Sequence, residues 1–171
     1  MMKIFFVVAC TKDGGIGKDG GLPWPHMKED MKNFTQLTKG DGKAVVMGRK
    51  TWESLPERHK PLAGRVNIVV SSKLEDDRCI VVNGVPAAIQ TALLKNVKEL
   101  WFIGGKAIYD DMFAFDINVE RGYVTVFSHE DKDCDTHFNL SRLYSRYHEE
   151  RMAGPFEQDG YNYVIKEYVK S

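Results

Sequence analysis

Cysteine is scarce in this chain of 171 residues, and the few that occur are widely spaced. Only Cys10, Cys79 and Cys134 are present, so their number is odd. This pattern fits neither a disulfide framework nor a Cys-Xaa-Xaa-Cys zinc site. The five histidines also lack the spacing of metal ligands. We therefore expect no bound metal and a reducing compartment, with the cytoplasm as the predicted location.

Net charge is also lacking, since 24 lysines and arginines balance 24 aspartates and glutamates. A neutral chain has no bulk attraction to nucleic acid or to an anionic membrane, and we expect neither as a partner. No apolar stretch approaches membrane-spanning length. The length and an apolar fraction of 43% fit one domain over residues 1–171 with a substantial core, and we expect a monomer.

The apolar segment Ile4–Cys10 near the start has two interpretations. It resembles a very short secretion signal, because Lys3 precedes it and a cysteine ends it. However, the run is at the lower limit of signal length, and a single lysine makes a poor charged region. A strand buried on both faces explains the same residues, and we favour that interpretation.

Short apolar runs alternate with helical patterns along the whole chain. Helices are predicted over Met27–Thr38, after Gly48, over Pro86–Leu94 and over Lys106–Phe115, and strands over Ile4–Cys10, Ala44–Met47, Val66–Val70, Ile80–Val82, Leu100–Ile103, Tyr123–Phe127 and Tyr161–Val169. A weak run around Tyr144–Met152 is a further candidate strand, and the alternation of the last strand suits an antiparallel edge. This order predicts an α/β fold around a mostly parallel sheet.

One carboxylate occupies an unexpected place in the first predicted helix. Met27, Met31 and Phe34 recur at helical spacing, and Asp30 lies among them on the same stripe. A carboxylate that faces a core loses hydration unless it is a helix cap, part of a buried ion pair or a proton-transfer group. Asp30 does not precede the stripe and has no obvious nearby cation, so the third explanation gains weight.

The glycine pattern Gly15–Gly20 follows the first strand and formally matches Gly-Xaa-Gly-Xaa-Xaa-Gly. A dinucleotide-binding turn needs a helix at this point, whereas Pro23-Trp24-Pro25 comes soon after. We therefore predict a mobile glycine-rich loop instead, with an ordinary surface loop as the alternative. Its apolar residues favour a lid that packs on a ligand or on the core; they are Ile16, Leu22 and Trp24.

Two strand-to-helix turns have the composition of phosphate sites. The first turn runs from Gly48 into Arg49, Lys50 and Thr51, without the spacing of a P-loop, so we reject nucleoside triphosphate hydrolysis. Taken alone, this turn is equally well explained as a solvated basic surface. The second turn joins a buried strand to Gly104, Gly105, Lys106, Ala107, Ile108 and Tyr109. Two such turns at strand ends predict a ligand with a pyrophosphate group.

A third segment, Ser71-Ser72-Lys73, ends the predicted strand Val66–Val70. It could lie beside Arg49 and hold a 2′-phosphate, which would select NADPH over NADH.

Taken together, these segments resemble the dihydrofolate reductase family over almost the whole chain. The resemblance follows the order Gly17 to Leu22-Pro23-Trp24, Asp30 and Phe34, Met47–Trp52, Pro61–Arg65, Ser71-Ser72, Ile103–Tyr109, Thr125 and Asp135–Phe138. It implies an α/β fold with a single-domain mixed sheet of about eight strands and about four flanking helices. It also implies NADPH-dependent reduction of 7,8-dihydrofolate to 5,6,7,8-tetrahydrofolate for one-carbon metabolism and thymidylate synthesis, and binding of antifolates such as methotrexate.

The resemblance also implies roles for individual residues. Asp30, with Thr125 behind it, would bind the pterin edge and support protonation of N5 through a water near Trp24 and Leu22. Burial should raise the pKa of this carboxyl group. Arg65 would bind the glutamate α-carboxylate of the substrate. The rings would pack against apolar residues, namely Val7, Val8, Met31, Phe34, Leu55, Leu62 and Ile103.

For the cofactor, the resemblance implies backbone contacts from Ala9 and Ile16 to the nicotinamide amide and a cis peptide between Gly104 and Gly105. The remaining expected cofactor residues are Gly17, Gly48, Arg49, Lys50, Thr51, Ser71, Ser72, Lys73, Lys106, Ala107, Ile108 and Tyr109. Departures at Pro25-His26 and at Pro56–Lys60 leave the motion of the lid open. Two alternatives remain: a related reductase of another heterocycle, which would need neither Asp30 nor Arg65, and a non-catalytic folate- or nucleotide-binding protein.

Overall fold

In the part of the chain that the structure describes, the strands form a central sheet of eight and a separate pair of short strands. The computed structural model describes residues 1–17, 22–115, 117–130 and 133–171. In chain order the described strands are β1 (Lys3–Thr11), β2 (Gly15–Gly17), β3 (Lys43–Gly48), β4 (Val66–Val70), β5 (Ile80–Val82), β6 (Glu99–Gly104), β7 (Val119–Phe127), β8 (Thr136–His137), β9 (Tyr147–Gln158) and β10 (Tyr161–Lys170). The described helices are α1 (Lys28–Thr38), α2 (Arg49–Ser54), a 3₁₀ turn at Glu57–His59, α3 (Val85–Leu94), α4 (Lys106–Ala114) and α5 (Leu140–Arg146).

The strand order in the sheet is β5-β4-β3-β6-β1-β7-β10-β9. The six strands from β5 to β7 pair in parallel, whereas β10 is antiparallel to both β7 and β9. The separate pair is formed by β2 and β8. The predicted mixed, mostly parallel α/β sheet is therefore confirmed. No helix within the described ranges is both long and apolar enough to cross a membrane.

β1 lies between β6 and β7 and is covered on both faces, which explains its continuous apolar sequence. Its residues alternate between two core clusters, because successive side chains point to opposite faces. Phe5 and Val7 join the cluster around Trp52, whereas Phe6 and Val8 join the cluster on the opposite face. The Val8 side chain therefore belongs to the core cluster opposite Trp52, and its predicted contact with a substrate ring stays a prediction.

The C-terminal part of the chain differs from the sequence prediction in three ways. Residues 140–146 form α5, which begins after a cap in which the Asn139 side chain accepts the N–H of Arg142. The candidate strand around Tyr144–Met152 is in fact β9, which starts later and forms the edge of the sheet. β10 is antiparallel as predicted but is not an edge strand. Most of β9 is exposed on both faces, so it lacks the alternation that would identify it.

The parallel strands bring several loop starts to one edge of the sheet. Gly48 ends β3, Val70 ends β4, and these two residues are paired in register. Gly104 ends β6 on the other side of β3, opposite Met47. In parallel sheets the carboxyl ends of the strands form the usual ligand-binding edge. The predicted phosphate turns therefore lie side by side.

Candidate active site

Asp30 lies in the first turn of α1. The helix begins at Lys28, one residue after the predicted start at Met27. Its Oδ1 accepts a hydrogen bond of 2.5 Å from the Thr125 hydroxyl of β7. The two residues are 95 positions apart in the chain. The Asp30 side chain therefore joins the helix to the sheet, and the predicted pairing of Asp30 with Thr125 is confirmed.

The environment of Asp30 favours its protonated form. Partial burial raises the pKa of the carboxyl group and is the largest influence on it. The hydrogen bond from Thr125 and the charge of His26 act in the opposite direction but are smaller. The predicted direction of the pKa shift is therefore confirmed, and its cause is desolvation.

Two apolar clusters lie on either side of the Asp30 carboxylate. On one side Trp24 stacks on Phe127, with ring centroids 4.2 Å apart, and packs with Met27 and Tyr163. On the other side a cluster around Trp52 receives five of the predicted substrate residues: Val7, Phe34, Leu55, Leu62 and Ile103. The apolar stripe of α1 thus serves two clusters, with one carboxylate between them.

Two predicted site residues are open to solvent. Met31 is 39% exposed and Leu22 is 63% exposed, although both are large and apolar. Met31 follows Asp30 directly on α1, and Leu22 precedes the buried Trp24 by two residues. Exposed apolar side chains beside a partly buried carboxylate are typical of an open ligand cleft.

Arg65 is held in a fixed position at the far end of the Trp52 cluster. Its Nε donates to the carbonyl of Ala63 at 2.8 Å, and its Nη1 donates to Thr38 Oγ1 at 2.8 Å. The guanidinium carbon lies 6.0 Å from the centre of the Phe34 ring. Burial lowers the pKa of Arg65, which marks a partly desolvated cation. A fixed cation beside an apolar cluster suits a ligand with an aromatic body and a carboxylate tail.

The backbones of β3 and β6 approach closely at the carboxyl edge of the sheet. A Cβ atom added to Gly48 would lie 3.9 Å from the nitrogen of Gly105, and one added to Gly105 would lie 3.7 Å from Thr51 Oγ1. The peptide bond between Gly104 and Gly105 is cis, as the resemblance implies. Neither α2 nor α4 has a side-chain hydrogen bond at its N-cap.

The side chains of Tyr109 and Ile108 are buried. Ile108 is 3% exposed and belongs to the core cluster behind the sheet. The buried Tyr109 hydroxyl donates to the carbonyl of Val7 at 2.8 Å. A Cβ on Gly104, whose φ is +104°, would lie 2.8 Å from that hydroxyl. The side chains of Ile108 and Tyr109 therefore pack in the core behind the glycine turn. Their contact with the cofactor stays a prediction.

Two cations at this edge, Arg49 and Lys106, form ion pairs within the chain. Arg49 Nη1 lies 3.2 Å from Glu53 Oε1, and Lys106 Nζ lies 3.1 Å from Asp110 Oδ2, both one turn along their helices. Lys106 also donates to the carbonyl of His137. Lys50 and Ala107 are exposed at the starts of the same two helices. Each ion pair is exposed and therefore weak, so a bound anion could replace the carboxylate.

Ser71 follows the strand that neighbours Gly48, so its predicted position beside Arg49 agrees with the register of β3 and β4. Its Oγ accepts the backbone N–H groups of Lys73 and Leu74 and so forms the turn. Ser71 and Ser72 border an open groove of about 570 Å³, which is also lined by Val81, Val82, Asn83 and Ala87.

The predicted glycine-rich loop is described only in part. Residues 15–17 form β2, so this segment pairs with β8 and does not open a helix. This geometry agrees with the rejection of a dinucleotide-binding turn. Ile16 packs against the main core, and Gly17 lies opposite Thr136. Residues 18–21 lie outside the described part of the chain. The predicted motion of the lid falls on these residues and stays a prediction.

Sequence reasoning missed three residues near Asp30 and Trp24: Phe127, Gln158 and Tyr163. The alternation of the last strand indicates that Tyr163 lies on the buried face of that strand, but it does not show which helix Tyr163 contacts. Gln158 has no local signal for this role, because its two partners before and at the start of α1 are 132 and 130 residues away. In the described ranges no group of three or more His, Cys, Asp or Glu residues could hold a metal ion.

Comparisons with known proteins agree with this arrangement. A family profile described as dihydrofolate reductase matches residues 3–170. A Schistosoma mansoni protein named dihydrofolate reductase is 44% identical over 149 residues, which cover 80% of this chain and 78% of that protein. The Gallus gallus dihydrofolate reductase is 35% identical over 182 residues and covers 96% of this chain and 95% of its own. A Caenorhabditis elegans relative is 43% identical over 122 residues, which is 64% of each chain.

Proposed function

The chain belongs to the dihydrofolate reductase family of oxidoreductases, and from this premise we propose that it reduces 7,8-dihydrofolate to 5,6,7,8-tetrahydrofolate with NADPH. The observation that carries the proposal is the Asp30–Thr125 pair between two apolar clusters. A carboxylate in this position can bind the polar edge of a flat heterocycle while apolar side chains pack its faces.

Asp30 is the residue that we assign to proton delivery. Its raised pKa keeps part of the carboxyl population protonated closer to neutral pH than an ordinary aspartate would be. The proposed route runs to N5 of the pterin through a water held near Trp24. The Thr125 hydroxyl donates to Asp30 Oδ1 and so orients the carboxyl group. The remaining contribution of the protein is orientation and exclusion of water by the two apolar clusters.

The carboxyl edge of the sheet fits a dinucleotide with a pyrophosphate group. Gly48, Gly104 and Gly105 allow backbone to approach a ligand closely, and Thr51 Oγ1 faces the same space. The start of α4 offers backbone N–H groups that no side chain caps. NADPH, when bound, supplies the hydride. Ala9 and Ile16 are the residues that we assign to its nicotinamide amide.

NADPH is preferred to NADH in this proposal because of the residues next to the groove at β4. Arg49 follows Gly48, and Ser71 follows the residue paired with that glycine. Together with Ser72 and Lys73 they offer one guanidinium, two hydroxyls and one ammonium group for a 2′-phosphate. NADH lacks this phosphate and would leave the cluster without a ligand.

Arg65 is assigned to the α-carboxylate of the substrate's glutamate. Phe34, Leu55 and Leu62 belong to the Trp52 cluster, and Arg65 lies against the Phe34 ring. These three side chains would pack the aminobenzoyl ring. We further propose that the protein acts as a cytoplasmic monomer with one domain over residues 1–171. In that setting it would supply tetrahydrofolate to one-carbon metabolism and thymidylate synthesis and would bind antifolates.

One assay separates this function from its alternatives. Purified protein is mixed with NADPH, and the loss of NADPH absorbance is followed with and without dihydrofolate, then with methotrexate added. We expect oxidation that requires dihydrofolate and is blocked by methotrexate. Oxidation only with another heterocycle would favour the related reductase. Tight binding of folate or nucleotide by folded protein without oxidation would favour the binding protein and contradict the proposal.

A further inference from the structure

The first turn of α1 has no cap from its own segment. Met27 is the N-cap residue, and its side chain makes no capping hydrogen bond. The first backbone N–H groups of a helix have no partner within the helix, and the helix is destabilised when they are left without a hydrogen-bond acceptor. Since Asp30 is the third residue of α1, whatever satisfies these groups also sets the position of its carboxylate.

Side chains from the β9–β10 hairpin supply the missing cap. Gln158, the last residue of β9, accepts the N–H of Lys28 through Oε1 at 2.8 Å. Its Nε2 donates to the carbonyl of His26 at 3.1 Å, so one amide spans the residues on both sides of Met27. Tyr163 of β10 lies at the same turn, because it shares a cluster with Met27 and Trp24. Burial raises the pKa of the Tyr163 hydroxyl, and the backbone N–H groups of Glu29 and Asp30 act on it in the opposite direction.

Tyr163 is anchored by aromatic packing in the core. It is 2% exposed and packs on Phe127 and Phe156, with ring centroids 5.1 Å and 5.4 Å away. Phe127 in turn stacks on Trp24. The hairpin therefore holds both the start of α1 and the tryptophan beside the carboxylate.

From these contacts we infer that Gln158 and Tyr163 are positioning residues for Asp30 and that the β9–β10 hairpin sets its proton-transfer geometry. The catalytic meaning of this inference rests on the proposed function. Loss of either contact frees backbone N–H groups at the helix start and admits water. Both changes favour the ionised carboxylate. The groups that face Asp30 from packed elements are His26 before the helix, Thr125 on β7 and Tyr163 on β10.

The test uses two variants that remove hydrogen bonds with little change in volume. Tyr163→Phe keeps the ring among its aromatic neighbours, and Gln158→Met keeps the length of the side chain. Tyr168→Phe in the same strand and Gln90→Met on the exposed face of α3 are the matched controls. The carboxyl carbon of Asp30 is titrated by NMR in ligand-free protein, a readout that does not require turnover.

We expect the midpoint of the Asp30 titration to fall in both variants by about half a pH unit or more and to stay unchanged in the controls. In single turnovers the rate of NADPH oxidation near neutral pH should fall about fivefold, with KM for NADPH unchanged. Wild-type titration midpoints in both variants, or an equal shift in the controls, would overturn the inference. If the midpoints shift in both variants but the wild-type protein never oxidises NADPH, the result would contradict the proposed function and leave this inference standing.

Discussion

At the scale of single residues, the central question is the charge state of Asp30. The folded chain raises the pKa of this carboxyl group, mainly by burial. Protonation of the Asp30 carboxylate is therefore more favourable in the folded chain than in the unfolded chain. The contribution of Asp30 to stability is fully present below the ordinary pKa of an aspartate. It is lost as the pH rises through the raised pKa of the folded state.

This sign gives a stability prediction for the ligand-free protein. Asp30→Asn should raise the melting temperature near neutral pH, by about 2–4 °C for each 1 kcal/mol of removed desolvation penalty. An asparagine can still accept the hydrogen bond from Thr125. The gain should vanish below pH ~4, where the wild-type carboxyl is protonated. Glu29→Gln, at an exposed position next to Asp30, is the control, and an equal gain there would contradict the explanation.

Arg65 gives a second prediction at this scale. Arg65→Lys removes the planar group that is positioned by Thr38 and by the carbonyl of Ala63. Since the substrate tail is remote from the reacting atoms, KM for dihydrofolate should rise about tenfold while kcat changes little. Steady-state kinetics on the variant measure both constants. Arg58→Lys, in the exposed 3₁₀ turn, should leave KM unchanged. A fall in kcat alone would argue against this role for Arg65.

At the scale of elements, the edge formed by β3, β4 and β6 is the proposed site of cofactor selection. Arg49→Ala should weaken NADPH binding at least about tenfold and NADH binding much less, because only NADPH carries the 2′-phosphate. Fluorescence titration with each cofactor gives the ratio. Glu53→Gln removes the ion-pair partner of Arg49 and should keep the preference for NADPH. Equal losses of affinity for NADPH and NADH in Arg49→Ala would contradict the proposed contact of Arg49 with the 2′-phosphate.

The packing of β7 against β1 gives another prediction at this scale. A Cβ added to Gly122 would lie 2.0 Å from Cζ of Phe6, the residue paired with it in register. Gly122→Ala should therefore lower the free energy of unfolding by about 2 kcal/mol or more, because the close-packed ring cannot move aside. Denaturant unfolding measures the loss. Gly84→Ala, whose nearest atom would be 3.7 Å away, is the control. Equal stability of the two variants would contradict this account of the packing.

Strands and helices with strong internal patterns could be predicted from the sequence. β4 and β5 have the predicted bounds, since both are short β-branched runs. β9 was predicted only as a weak run with earlier bounds, because an exposed edge strand carries no alternating apolar face. α5 was missed because it is seven residues long and has one buried residue, Leu143. Local patterns therefore predict the centre of the sheet better than its antiparallel edge.

At the scale of the whole molecule, the site combines segments that are distant in the chain. The strand order of the sheet brings together the proposed substrate residues, which lie on α1, on β1 and in the Trp52 cluster, and the glycine turns after β3 and β6. The spacing in the sequence predicts each glycine turn but not the contact of Asp30 with Thr125, which came from the family resemblance. Neither source predicts Gln158 or Tyr163, because these contacts depend on how the terminal hairpin folds over α1.

The most direct test of the central claim is the pH dependence of single-turnover NADPH oxidation by dihydrofolate in wild type and in Asp30→Asn. In wild type the rate should fall as the pH rises through a midpoint above the ordinary pKa of an aspartate. In Asp30→Asn, NADPH binding should be nearly intact, and the rate near neutral pH should fall about 100-fold or more. The fall of the rate with rising pH that is expected in wild type should be absent in this variant. A variant that keeps the wild-type rate and profile would contradict the assignment of Asp30 as the residue that supports proton transfer.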